Sequence, residues 1–567
     1  MDGTATGQSR GRRFRPSAFS SRAAPVSKPI PLWILYPLFF VAVYWPHFPL
    51  LRLPYFWDEA GYYIPAALDF SRTGALIPHS TLTNAHPPLP SILLAGWWHV
   101  AGYSINGTRT FLCIVAAVAL LGVFRLARML GGTLLAVAVC AMTLLYPVWF
   151  SQSCMAHADL FAAAFTLWAL GFFFARYVTP GHNVRNLALA AFLFCCAALA
   201  KETSIVTPVV LALWEISLLA TRPKHSSRAG GLGQSGPAEH ASPKWVLALL
   251  TPLLPLVAWY AYHFHKTGFV FGNPEFLRYN ATANLSALRV LLSLWHRFSH
   301  LTLHMGLWVP ILATLALLFT PRLPGRTQPV LERPVLPAIL VVIAGNALAF
   351  SVLGGALLTR YLLPVYPLEF LLLAALWQQR LRNIWPIVGL SLAAFVAALF
   401  LNPPYSFAPE DNLTWRDFVL LQQQGIGVIQ KRFPAATVLT AWPAVTELEH
   451  PDLGYVRQPF AVDSIENFSP AQIEKASQDP GGFDTALVFS TKWTPPAGRW
   501  SFTRATQSSD VRFFDFHRDM SPQQIATLLH GEIVWQGYRN GEWAAVLHFP
   551  RIVQARLQQP CSTDNCR

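Results

Sequence analysis

The chain has 567 residues, a net charge of +14, 53% hydrophobic residues and only 12% charged ones. A soluble protein carries about twice that density of charge, so this composition, with a mean hydropathy of +0.37, excludes an ordinary soluble globule and points to a polytopic α-helical membrane protein. The positive charge sits in the N-terminal tail and in alternate loops, as orientation in a membrane requires, and no nucleic-acid partner is expected.

Residues 1–30 form a basic tail, with Arg10, Arg12, Arg13, Arg15, Arg22 and Lys28 against one acid, Asp2. The first apolar run, Pro31 to Leu51, lacks a small-residue cleavage pattern and reads as a retained first helix. Further spans are expected at 107–127, 132–150, 155–177, 184–200, 203–221, 245–264, 302–320, 334–357, 361–379 and 384–402, about eleven in all. With the tail inside, the inside loops contain Arg125 and Arg128; Arg176 and Arg185; Arg222, Lys224, Arg228 and Lys244; Arg322, Arg326 and Arg333; and Arg380 and Arg382. An odd count then puts the C-terminal stretch outside.

Between the spans, the loop from Leu53 to Asn106 holds two pieces too short to cross a bilayer, Gly61–Phe70 and Pro90–Val100, which are expected along the membrane surface. The loop from His265 to Leu301 has a similar piece at Ala287–Arg297. Residues 222–243, rich in Gly, Ser, Pro and Lys, read as a flexible inside linker. Residues 404–567 are polar enough for a soluble α/β domain. A helix is expected at Trp415–Arg432, strands at Val438–Ala441 and Thr485–Phe489, a helix at Pro522–Leu529, and strands at Glu532–Tyr538 and Trp543–Phe549. Five cysteines lie in or beside apolar runs and read as packing residues. Cys561 and Cys566 flank a polar tail that is either disulfide-linked or a frayed terminus.

Where charge is scarce, the polar residues near helix ends stand out. On the assigned outside lie Asp58-Glu59, Asn84-Ala85-His86-Pro87-Pro88-Leu89, His157 and Asp159, Lys201-Glu202-Thr203, His263 and His265, and Thr359-Arg360-Tyr361. Each has a plain reading. Asp58-Glu59 fits a solvated loop, Lys201 and Glu202 fit a pair with each other, His157 fits a packed histidine, and Arg360 fits a helix anchor. Their collection on one face fits a site better. A carboxylate there can act as general base toward a hydroxyl. Acids with a histidine can hold a divalent cation, and Arg360 or Lys201 can bind phosphate. Together they suggest group transfer from a lipid phosphate at the outer membrane face.

A first helix, then Trp57-Asp58-Glu59-Ala60-Gly61-Tyr62-Tyr63, then His86-Pro87-Pro88-Leu89 resembles the GT-C class of integral-membrane glycosyltransferases. The likeness is to bacterial relatives of protein O-mannosyltransferases and of the lipid A aminoarabinose transferase. Ala158-Asp159, Gly272-Asn273-Pro274 and Arg360-Tyr361-Leu362-Leu363-Pro364 extend it over residues 30–400. The resemblance implies a polyprenyl-phosphate sugar as donor, inverting transfer, and an acceptor hydroxyl on a protein, lipid or glycan. Asp58 would activate the acceptor, with Glu59 and Asp159 supporting it. Arg360, Tyr361 and Lys201 would meet the donor phosphate. His86 would stand in the substrate site, where the aminoarabinose branch has a lysine, and His263 or His265 near a divalent metal. The implied location is a bacterial inner membrane, N-terminus inside and C-terminal domain outside. Two rivals are a transporter or flippase of a lipid-linked or polar solute, for which a sequence repeat is the missing sign, and a non-catalytic envelope scaffold.

Overall fold

The computed structural model describes residues 31–550 apart from 82, 179–182, 222–240, 273–285, 325, 327–329, 332–333, 354–356, 479–481, 494, 496–506 and 515–516. The expected 222–243 linker, except its last three residues, and the Cys561–Cys566 pair therefore lie outside the described residues.

The apolar runs all fall on helices. In chain order these are α1 (Leu32–His47), α2 (Ile64–Thr73), α3 (Leu89–Ala101), α4 (Ile105–Leu145), α5 (Pro147–Gln152), α6 (Ala158–Val178), α7 (Asn183–Ala200) and α8 (Val206–Ala220). They continue with α9 (Pro243–Leu250), α10 (Leu253–Thr267), α11 (Ala287–Thr302), α12 (Trp308–Leu318), α13 (Val335–Leu353), α14 (Tyr366–Arg380) and α15 (Trp385–Phe400). Helix α4 is 41 residues long, about 60 Å and twice a bilayer core. It breaks at Gly132, where φ is +85°, a value that glycine alone adopts freely. Its first half carries the expected span 107–127, and its second half, with α5 beyond a break at Tyr146, carries the expected span 132–150. By length and composition, six helices among the described residues can cross a membrane, or seven if the bent pair Ala287–Gly306 and Trp308–Leu318 is one span. The segments expected at 184–200, 361–379 and 384–402 fall on shorter helices, α7, α14 and α15. The short pieces of the two long loops are α2, α3 and α11.

Beyond α15 the chain forms a five-stranded sheet of order β2-β1-β3-β5-β4. Its strands are β1 (Thr437–Ala441), β2 (Ala461–Ile465), β3 (Thr485–Phe489), β4 (Glu532–Arg539) and β5 (Glu542–His548). The first three run parallel, and β5 is antiparallel to both β3 and β4. The central strand β3, Thr-Ala-Leu-Val-Phe, is buried at every position, as a strand covered on both faces must be. Helix α16 (Thr414–Arg432) packs on β4 and β5. This layer is seated on the first loop by aromatic contacts: Phe56 meets Phe418 at 5.5 Å, and Trp57 meets Phe418 at 5.6 Å and Trp442 at 5.1 Å.

Glu542 is fully buried in the sheet and accepts a hydrogen bond from Ser490. Burial pushes its carboxyl up to about 8, against the Ser490 bond. The folded chain thus keeps a proton that the unfolded chain releases near the ordinary carboxylate value. Stability is full below that value and falls as pH rises toward about 8, by up to about 1.4 kcal/mol per pH unit. Glu542→Gln should flatten this slope in thermal unfolding of the full chain in detergent. An unchanged slope would count against a protonated Glu542.

Candidate active site

Arg360 organises the site. It lies in a short 3-10 turn, Thr359–Leu362, between α13 and α14, and its side chain is 4% exposed. Its Nη2 donates to Asp58, its Nη1 reaches Glu410 at 2.8 Å, and its Nε lies 3.3 Å from Asp159. Asp159 opens α6 and also accepts from Lys201 Nζ at 2.6 Å, while Lys201 sits 4.2 Å above the Tyr361 ring. Three carboxylates thus face two cations. Burial raises the Glu410 carboxyl above the ordinary range, against the Arg360 guanidinium, with Asp58, Asp411 and Asp159 pushing upward too. A protonated Glu410 would leave two negative and two positive charges, a balance that a buried group needs. Burial, then Arg360 and Lys201, depress His157 well below the usual imidazole range, and its Nδ1 donates to Gln152 Oε1 at 2.8 Å.

The adjacent acids of the first loop point to different environments. Trp57 has φ +45°, and Glu59–Tyr63 is a π turn, an irregularity common at functional sites. Asp58 is 27% exposed, against 3% and 5% for Asp159 and Glu410, and only its Oδ2 has a partner among the described residues. Glu59 is fully buried. It accepts from Phe56 N at 2.9 Å, Ala156 N at 2.6 Å, and Arg109 at 3.1 and 3.4 Å. Arg109 also bonds the carbonyls of Leu53, Pro54 and Cys154 at 2.9, 2.7 and 2.8 Å. Glu59 thereby ties the first loop to α4 and to the turn before α6. Glu59→Gln should cost roughly 2 kcal/mol, since an amide cannot accept all four bonds, and should slow turnover less than a change at Asp58. Thermal unfolding and turnover of the one variant check both.

Asp58 and Arg360 line a cavity of about 2520 Å³ between the membrane helices and the sheet layer. Tyr62, His86, Tyr260 and His300 stand on the helical side, with Leu256, Leu303, Leu353 and Leu401 supplying an apolar wall. Trp442, Glu466, Asn467, Thr491, Lys492 and His517 come from the sheet layer.

The family model for dolichyl-phosphate-mannose-protein mannosyltransferase matches residues 85–230. Along most of the chain, the structure is similar to ArnT from Cupriavidus metallidurans in its apo state, with 14% identity, 91% of this chain and 97% of that chain covered, and a TM-score of 0.55. The chain has the GT-C fold. The same ArnT bound to undecaprenyl phosphate matches at 13% identity over the same shares, 91% and 97%, with a TM-score of 0.53. The oligosaccharyltransferase of Archaeoglobus fulgidus with Zn and sulfate matches at 13% identity over 81% of this chain and 68% of that chain, with a TM-score of 0.44, a likeness too slight to build on. No curated protein matches the sequence significantly.

Within this GT-C chain the structure brings Asp58, Asp159, Lys201, Arg360 and Tyr361 together. It separates others. Lys201 and Glu202 do not pair with each other: Lys201 turns to Asp159, and Glu202 takes His86 Nδ1 at 2.8 Å. Arg360 does more than anchor a helix end. His86 stacks on Tyr63 at 5.9 Å and faces the cavity. His263 uses both ring nitrogens, toward Phe269 O at 2.7 Å and Thr83 Oγ1 at 2.9 Å, and His265 is exposed. Among the described residues no group of three His, Cys, Asp or Glu has the spacing for a metal ion. His263 spends both ring nitrogens on these two bonds, and the mechanism uses no metal ion. Gly272, with φ +85°, lies where a Cβ would sit 2.9 Å from the Asn84 carbonyl carbon, so it lets the late loop close onto the His86 loop. Asn273 and Pro274 lie outside the described residues. Sequence reasoning missed Glu410, with Asp411 beside it. Asp411 accepts from Thr359 and faces His304 Nε2 at 3.0 Å. Arg109 was missed too.

Proposed function

We propose that the chain moves a sugar from a polyprenyl-phosphate carrier to an acceptor hydroxyl, with Asp58 as general base. The observation that carries this reading is the position of Asp58. It is the most exposed carboxylate of the Arg360 group, and it opens onto a large cavity with an apolar wall on one side and polar groups on the other. The GT-C fold and the undecaprenyl phosphate held by one structural neighbour support the carrier.

Asp58 takes the proton as the acceptor oxygen bonds to the anomeric carbon. The bond from that carbon to the phosphate oxygen breaks, and lipid phosphate leaves with the electron pair, so the configuration inverts. Every Arg360 nitrogen faces a carboxylate, so a donor phosphate reaches the guanidinium by displacing one of them. Asp58, the most exposed, is the one to yield. Donor binding would then free the base next to the acceptor and place Arg360 against the charge of the departing phosphate. Lys201 and Tyr361 back this position, and Asp159 holds both cations in place.

The alternation of basic loops supports an inside N-terminus and an outer position for the cavity and the sheet layer, with residues 404–567 as a separate outer domain. The transporter reading has no repeat in its favour. Purified protein given a panel of radiolabelled polyprenyl-phosphate sugars should move label from at least one donor onto an acceptor with a free hydroxyl. Retention of all label on lipid across the panel would count against the proposal.

A further inference from the structure

Helix α11 is inverted in its polarity. Its exposed face is apolar, with Leu288, Leu291, Trp295 and Phe298 at 53, 62, 60 and 53% exposure. Its buried face carries Arg289, Ser293 and Arg297, all at 0%. The three recur every four residues and so share one side of the helix, over about 12 Å.

All but one of these buried donors lack partners among the described residues. Among the described residues, Arg289 Nε, Nη1 and Nη2, Ser293 Oγ, and Arg297 Nε and Nη2 have no hydrogen-bond acceptor. Arg297 Nη1 alone is engaged, with Leu358 O at 2.8 Å and His300 Nδ1 at 3.4 Å. Around Arg297 stand Phe350 and Tyr361, at 5.8 and 5.9 Å. No carboxylate among the described residues forms a salt bridge with either arginine. A guanidinium cannot escape by losing its proton, and a buried charge without a partner is the costliest of buried groups. Arg289 also lies in the first turn of its helix, where the helix dipole disfavours a cation. A bound anion resolves all of this at once.

We infer that the buried face of α11 binds a phosphate group carried by a membrane lipid. Two guanidinium groups and a hydroxyl suit phosphate oxygens. Helices α11 and α12 are bent by 101° from each other, so α11 lies across the direction of α12, as a helix in the membrane interface does. There its exposed leucines and aromatics meet acyl chains while its arginines take the headgroup. The site borders the Arg360 group at Tyr361 but shares no salt bridge with it.

Delipidated full-length protein in neutral detergent, followed by thermal unfolding, provides the test. Phosphatidic acid should raise the unfolding midpoint and diacylglycerol should not. Arg289→Gln and Arg297→Gln should each raise the concentration for half-maximal effect about tenfold, the scale of a lost charge-assisted bond. Without lipid both variants should be at least as stable as the parent, because each removes an unpaired buried charge. Ser293→Ala, a small change, should weaken the response in the same direction. Inorganic phosphate acting as strongly as phosphatidic acid would assign the site to a free anion and overturn the lipid assignment. Equal responses of parent and arginine variants, or no response of the parent to any of the three, would overturn the site.

Discussion

Asp58→Asn is expected to abolish sugar transfer while leaving expression and stability in detergent nearly unchanged and donor binding at least as tight, since the carboxylate that the donor phosphate must displace from Arg360 is gone. Asparagine keeps the size of aspartate and one acceptor oxygen for Arg360, but it cannot take the acceptor proton. General-base catalysis is worth roughly two to four orders of magnitude, so single-turnover rates should fall by at least about a hundredfold. A structural role predicts a different result. Asp58 is the least buried acid of its group, and if it served only to neutralise Arg360, the change would lower the unfolding temperature and leave turnover in proportion to folded protein. Transfer within about threefold of the parent would remove the base from the mechanism.

Arg360→Ala should damage fold and function together. It leaves Asp58, Asp159 and Glu410 facing one another with Lys201 as the remaining cation. Removing one partner of a buried ion pair costs about 3–5 kcal/mol, and here one guanidinium serves three carboxylates. The sign of the pH dependence follows. Without the guanidinium the folded acids hold protons more tightly than the unfolded chain does, so lowering pH should restore part of the lost stability. Thermal unfolding of parent and variant from acid to alkaline pH should show the gap narrowing toward acid. Arg360→Lys keeps the charge but not the fork that reaches three acids. It should fold better than Arg360→Ala and still bind the donor more weakly than the parent. Unchanged donor affinity in Arg360→Lys would leave Arg360 as a structural hub alone.

Apolar periodicity marked the membrane helices because nothing else in the chain has that run length. Apolar residues at helical spacing located α16, and short β-rich runs located four of the five strands. Strand β2 escaped because Ala461–Ile465 is half-exposed at the edge of the sheet and carries Asp463 and Ser464, so it has neither an apolar run nor clean alternation. Scarcity of charge pointed to Asp58, Asp159, Lys201 and Arg360, which the fold assembles from four separate segments. It did not reveal how neighbours part. Asp58 faces a cavity while Glu59 is locked to Arg109, and Lys201 and Glu202 take different partners. That choice depends on the π turn at Glu59–Tyr63 and on helices far away in sequence. Glu410-Asp411 was legible by the same argument as Asp58-Glu59, since both are adjacent acids just past an apolar run. Arg109 was not, because a lone arginine near a helix start reads as an interface anchor.

The proposed covalent transfer from a lipid phosphate rests on Asp58. It is tested most directly in proteoliposomes holding a doubly labelled polyprenyl-phosphate sugar, with one label on the sugar and one on the lipid, for the parent and for Asp58→Asn side by side. The expected result is a sugar label moving onto acceptor with an equal amount of free polyprenyl phosphate appearing, in the parent alone. Intact donor crossing the bilayer with both labels together, or equal transfer by Asp58→Asn, would contradict the account.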